Sequence, residues 1–147
     1  MAEIAAICIS DVRGIQKHEI PEAFLKKDWG IEGDAHAGNW HRQVSLLSVE
    51  SVKKLQEKLS FELAHGAFAE NILVKGMSVH TLPVGTRLRI GEALCEVTQI
   101  GKECHNDCAI KKATGKCVMP TEGIFCEVVI PGRVQKGDQI TVLEEMP

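Results

Sequence analysis

Cys104-His105-Asn106-Asp107-Cys108, followed by Cys117, gathers three thiols and an imidazole between positions 104 and 117. Thiolates are soft ligands and good nucleophiles, so this cluster suits the handling of a metal or a sulfur atom. Lys102, Lys111, Lys112 and Lys116 outnumber Glu103 and Asp107 in the same stretch, although the whole chain carries a formal net charge of −3. A thiolate in a cationic setting favours an anionic, sulfur- or metal-bearing ligand. Cys104 and Cys108 stand four residues apart, so one helical turn would put both on one face, and Cys117 could fold back to join them. Three readings stay open at this point. The thiols could be inert and buried, as free cysteine often is. They could hold a structural zinc ion as Cys104, Cys108, Cys117 and one His, although adjacent Cys104 and His105 are poorly placed to share an ion. Or Cys104 could be a reactive thiolate or a metal ligand. Cys8, Cys95 and Cys126 lie inside apolar runs and read as core thiols.

A second constellation is Gly30-Ile31-Glu32-Gly33-Asp34-Ala35-His36. Gly30 and Gly33 permit a tight turn whose amides could approach an anion. Asp34 and His36 alternate by two and would point the same way from an extended segment, or Asp34 simply caps the turn. His41 and Arg42 bring basic groups nearby, and the Arg42 guanidinium suits phosphate. Asn71, entering a short apolar run after Glu70, is on its own a turn residue bonding its local backbone.

The elements that must position these groups are short. With 147 residues, 44% hydrophobic and 25% charged, the chain reads as one domain, residues 1–147, with one core. Glycine and proline punctuate it throughout, which points to many strands and few helices. Residues 3–10 read as a buried strand and 13–41 as a long functional loop. Residues 43–47 read as a strand. Ser48 then opens a helix with Val49, Val52, Leu55 and Leu59 on one face. Residues 71–74 are strand-like, and 86–90 and 93–100 form a hairpin about Gly91-Glu92. Residues 122–130 and 139–143, with a turn at Pro131-Gly132, supply the last strands of a closed or partly closed barrel. No basic leader precedes an apolar stretch, and no apolar run is long enough to cross a membrane. Six cysteines without an export signal suit a reducing, cytoplasmic setting. The weak negative charge, and the lack of Lys/Arg runs alternating with aromatics, argue against nucleic acid as a partner.

Four motifs occur in one order: Gly30-Ile31-Glu32-Gly33-Asp34-Ala35-His36, then Arg42-Gln43-Val44-Ser45-Leu46-Leu47-Ser48, then Ala69-Glu70-Asn71-Ile72-Leu73-Val74-Lys75-Gly76, and Gly132-Arg133-Val134-Gln135-Lys136-Gly137-Asp138-Gln139-Ile140. In that order they resemble the MOSC domain, named for the carboxyl-terminal part of eukaryotic molybdenum-cofactor sulfurases. The similarity covers nearly the whole chain and implies a stand-alone bacterial MOSC protein. The resemblance is to proteins without the desulfurase domain of the long sulfurases, so no pyridoxal phosphate is expected. The resemblance implies a mainly β (α+β), antiparallel barrel-like fold with a few peripheral helices. It also implies molybdenum cofactor (molybdopterin) as ligand, with Cys104 as acceptor of persulfide sulfur or ligand of molybdenum, supported by Cys108 and Cys117. Many relatives have Pro and Arg where Glu103 and Gly101 stand here, and Cys108 and Cys117 are additional. The expected cofactor contacts are Arg13, Gly30, Gly33, Asp34, His36, Arg42, Asn71 and Lys102. The expected work is cofactor sulfuration, carriage or insertion, with a cofactor-biosynthesis, sulfur-donor or reductase protein as partner. Two alternatives stand beside it. One is a cofactor-dependent reductase of N-hydroxylated compounds served by a separate electron-transfer protein. The other is a structural zinc-binding β domain.

Overall fold

The apolar-rich stretch at the start of the chain forms a strand, β1 (Ala2–Ile9), that is covered on both faces. A simple two-residue alternation cannot serve two faces with this sequence, and the chain solves the problem with a bulge. Ile4 pairs with Val74 but Ala6 pairs with Leu73, which leaves Ala5 as the extra residue. Ala2 and Ile4 therefore join one core cluster, and beyond the bulge Ile7 rejoins it, while Ala6 and Cys8 turn to a second cluster.

The computed structural model describes residues 2–12, 16–60, 62–101 and 122–143. After β1 come β2 (His18–Ile20), β3 (Glu22–Lys26), β4 (Gly30–Ile31), β5 (Val44–Ser48), helix α1 (Val49–Gln56) and β6 (Ile72–Lys75). A short 3-10 turn (Val79–Thr81) leads to β7 (Arg87–Ile90), β8 (Ala93–Ile100), β9 (Ile124–Ile130), β10 (Gly132–Gln135) and β11 (Gln139–Leu143). Strands pair in the order β11-β7-β8-β9-β5-β6-β1, and β11 pairs back to β1, so seven described strands close a barrel. β2 extends β1 beyond the closure, and β10-β3-β4 form a separate three-stranded sheet. The barrel interior holds Ile4, Ile7, Leu46, Ile72, Leu88 and Ile124 among others, and Leu25, Ile31 and Val134 of the small sheet pack into the same cluster. The second cluster lies between the outer face of the wall and α1, where Leu47, Leu73 and Phe125 meet Leu55.

The expected mainly β class and the helix after Ser48 are found, with four differences. The barrel is mixed, because β5 and β6 run parallel with α1 in the connection between them. Residues 13–41 are not one loop: they contain β2, β3 and β4, strands too short to print a period on the sequence. Pro131-Gly132 does not close a hairpin, since the next strand, β10, leaves the barrel and pairs with β3. Ser48 is also not a side-chain cap. Its hydroxyl donates to the Met77 carbonyl at 2.6 Å and accepts from the Val79 amide at 2.9 Å, tying the helix start to the 3-10 turn. Among the described residues, no helix is long and apolar enough to cross a membrane.

Candidate functional site

β8 carries the chain to Gly101, whose amide donates to the Gly123 carbonyl at 2.6 Å. The end of β8 and the start of β9 are thus clasped together. Side chains around that clasp are tied together. The Gln99 carboxamide accepts from His41 Nε2 at 2.8 Å and donates to the Gly101 carbonyl at 2.7 Å. The Thr98 hydroxyl lies within reach of the His41 and Phe125 carbonyls. β8 and β9 therefore hold the 40–42 loop in place.

Arg42 is the cation of this corner. Its guanidinium carbon sits 4.6 Å from the Trp40 ring centre and 5.6 Å from that of Phe125, a stacked geometry suited to arginine. Its Nε is buried and has no hydrogen-bond partner among the described residues. A buried donor left unmade is costly, and an oxygen of a bound anion would relieve it.

Asp34 and His36 sit one step along the same loop, in a buried polar cluster. The Lys17 ammonium lies 2.7 Å from Asp34 Oδ1, 3.1 Å from Ser10 Oγ and 2.9 Å from His36 Nδ1. Both side chains of the Lys17–Asp34 pair are fully buried. Asp34 also accepts from the Ser10 amide at 3.1 Å and the His36 amide at 3.2 Å, and Trp40 Nε1 donates to the His36 carbonyl at 2.8 Å. The Asp34 and His36 side chains are thus brought into one network, which Trp40 links to Arg42. Four amides of the loop expected to cradle an anion at residues 30–36 have partners within the fold. The amides of Glu32, Asp34 and Ala35 bond the Phe24, Ile31 and Ser10 carbonyls, and that of His36 bonds Asp34. Gly30, at φ +123°, is a packing residue: a Cβ there would stand 2.5 Å from the Gln43 carbonyl oxygen. Gly33 also has a left-handed φ of +91°, which favours glycine.

Asn71 is 1% exposed and staples three strands. Its side-chain oxygen accepts from the Ser45 amide at 2.9 Å and the Ser45 hydroxyl at 3.2 Å, and its Nδ2 donates to the Cys8 carbonyl at 3.1 Å. Its neighbour Glu70 accepts from the Gly66 and Phe68 amides at 2.8 and 3.0 Å. Burial raises the Glu70 pKa above the ordinary carboxyl value, against the lowering effect of those bonds.

Cys8, Cys95 and Cys126 are free and buried, as expected of core thiols. Burial pushes the Cys8 and Cys95 thiols up to about 12, and Cys126 is raised as well. Arg13, Lys102, Cys104, Cys108 and Cys117 lie outside the described residues. Among the described residues, no group of three His, Cys, Asp or Glu side chains is gathered to hold a metal ion. Lys17, Ser10 and Trp40 are not among the residues that the sequence singles out. Trp40 beside His41-Arg42 was the available hint, since tryptophan and arginine stack readily. Nothing local marks Lys17 for burial.

The MOSC domain matches residues 33–141 of the chain. The uncharacterized protein YflK of Bacillus subtilis is 27% identical over an alignment of 140 residues that covers 88% of this chain and 63% of YflK, so the chain spans less than two thirds of that relative. The crystal structure of YuaD from Bacillus subtilis superposes with a TM-score of 0.80 at 22% identity, covering 97% of this chain and 96% of YuaD. YiiM from Geobacillus stearothermophilus superposes with a TM-score of 0.74 at 17% identity, covering 98% of this chain and 76% of YiiM. The structural likenesses establish a shared barrel. The domain match, spanning most of the chain and including Asp34, His36, Arg42 and Asn71, establishes kinship: the chain belongs to the MOSC domain family.

Proposed function

We propose that this protein binds molybdenum cofactor and serves in its sulfuration, carriage or insertion, with Cys104 as sulfur acceptor or molybdenum ligand. One observation carries the reading: Arg42 is stacked on Trp40 and Phe125 with a buried Nε that lacks a partner among the described residues, next to the strand end that leads to Cys104. Cys104 follows Gly101 by three residues, a reach of at most about 11 Å in any conformation. A phosphate-bearing, sulfur-rich ligand unites a guanidinium and a thiol in that space, which neither a bare zinc ion nor an inert core would need.

Arg42, with Arg13 and Lys102, would hold the phosphate and pterin oxygens. His36 and its buried cluster would shape the wall beside them. When bound, the cofactor supplies a redox-active metal that takes thiolate sulfur as a ligand. The chain's own part is to hold Cys104 as a thiolate, which the neighbouring lysines favour, with Cys108 and Cys117 as supporting thiols in sulfur release. The three buried free thiols fit a reducing compartment, so we assign the work to the cytoplasm, with a sulfur-donor, cofactor-biosynthesis or reductase protein as partner. Equilibrium binding of molybdopterin tests the assignment. Arg42→Ala is expected to weaken it by about 10- to 100-fold, the scale of a lost charge-assisted hydrogen bond to phosphate. Unchanged affinity in that variant, or no binding by the wild type, would remove the proposal.

A further inference from the structure

At the Gly91-Glu92 turn three backbone segments are pressed together. The Gly91 amide donates to the Gln139 carbonyl at 3.2 Å, and the Glu92 amide donates to the Arg133 carbonyl at 3.1 Å. A Cβ on Gly132 would stand 2.4 Å from the Glu92 carbonyl carbon, and one on Gly91 would stand 2.6 Å from Asp138 Oδ2, so neither position has room for a side chain. Beside this junction lies a groove of about 490 Å³, lined by Arg89, Glu92, Arg133, Gln135, Asp138 and Thr141 among others. Small-molecule sites span about 300–1,000 Å³, so the groove is of their size.

Its two cations are unpaired. Among the described residues, neither the Arg89 nor the Arg133 side chain has a hydrogen bond or an ion pair. Arg87, two residues earlier on the same face of β7, is by contrast paired with Glu96 at 3.1 Å. The carboxylates of the groove are bound to backbone instead. Glu92 Oε1 accepts from the Arg133 amide at 3.3 Å, and Asp138 Oδ2 accepts from the Gln135 amide at 3.0 Å. Two guanidinium forks thus line a polar groove whose own acids they do not take.

We propose that this groove is a second binding site, for a small hydroxylated ligand that bears one oxyanion group, phosphate or carboxylate. Each guanidinium offers a planar fork of N–H donors that matches such a group bidentately. Glu92 and Asp138, through their remaining oxygens, accept hydroxyl protons, and Gln135 and Thr141 add donors and acceptors. The two carboxylates disfavour a multiply charged polyanion, and the two arginines disfavour a neutral sugar. The site is separate from the Arg42 corner. β8 starts at Ala93 beside the groove and ends at Ile100 next to that corner, a span of roughly 25 Å at about 3.3 Å per residue. The cofactor reading and this one therefore stand or fall apart.

The test is titration of the full chain with glucose 6-phosphate, gluconate and glucose, followed by amide NMR shifts. Working at about 0.15 M ionic strength screens loose attraction to exposed cations. Saturable binding is expected for at least one of the two anions, with the largest shifts at residues 89–92 and 132–141, and none for glucose. The tighter anion identifies the oxyanion that the site takes. Both arginines are exposed, so Arg89→Gln/Arg133→Gln is expected to keep wild-type thermal unfolding while binding weakens at least about tenfold. Four results would overturn the proposal: no saturable binding of either anion, glucose bound as tightly as the anions, shifts centred on the Arg42 corner, or unchanged affinity in the folded double variant.

Discussion

Asp34 and Arg42 are charged residues of one loop with opposite energetic circumstances. Asp34 neutralises a fully buried ammonium and receives two backbone amides besides. Removing it leaves Lys17 charged and unpaired in the interior, so Asp34→Ala is expected to cost about 3–5 kcal/mol in chemical denaturation. Arg42 forms no ion pair among the described residues and contributes mainly ring stacking, so Arg42→Ala is expected to cost at most about 2 kcal/mol while it impairs ligand binding. Similar losses of stability in the two variants would contradict this division between a structural and a ligand-facing charge. The cysteines divide in the same manner. With their thiols buried and pushed up to about 12, Cys8 and Cys95 are expected to resist alkylation at neutral pH, leaving Cys104 to be labelled first. The same shift has a pH consequence. The unfolded chain ionises these thiols from about 9 upward while the folded chain keeps them neutral to about 12. Stability is therefore fully present below 9 and falls as pH rises across that window, and Cys95→Ala should remove its share of the fall.

At the level of elements, a strand is only as legible as its period is long. The helix after Ser48 showed in the spacing of Val49, Val52 and Leu55, although it ends at Gln56, before the expected Leu59, and the β7–β8 hairpin showed in alternation about Gly91-Glu92. β2, β3 and β4 did not show, because strands of two to five residues are too short to carry a pattern of their own and are fixed by their pairing with β1, with β10 and with each other. The site followed the same rule. Asp34, His36 and Arg42 stood out by type and spacing, whereas Lys17 looked like any surface lysine, since its burial is decided by Ser10, Asp34 and Gly66 arriving from other segments. Gly30 shows how a site motif can be a packing motif. It has a left-handed φ and lies against the Gln43 backbone, whose own side chain accepts from the Val128 amide at 2.9 Å. Gly30→Ala is expected to destabilise the protein by about 2–5 kcal/mol through strain and overpacking together. Thermal unfolding would show it, and a variant of wild-type stability would mean that Gly30 is there for a ligand instead.

Across the whole molecule, the barrel closes through β11 and β1, and the end of β8 and the start of β9 are tied together at Gly101 and Gly123. The wall is thus a rigid support for one corner, where Arg42, His41, Gln99 and the buried Lys17 cluster converge from four separate parts of the chain. Family membership accounts for the barrel, and the matched stretch includes Asp34, His36 and Arg42. What the corner holds is the central claim, and it is best tested by composition. The protein should be purified from a molybdenum-cofactor-competent host and assayed for molybdenum, pterin, sulfane sulfur and zinc, beside Arg42→Ala and Cys104→Ser. The expected result is pterin and molybdenum in near-equal amounts on the wild type, pterin reduced by Arg42→Ala, and molybdenum or sulfane sulfur lost in a folded Cys104→Ser. A wild type with no pterin, or one carrying about one equivalent of zinc whose removal unfolds it, would contradict the account.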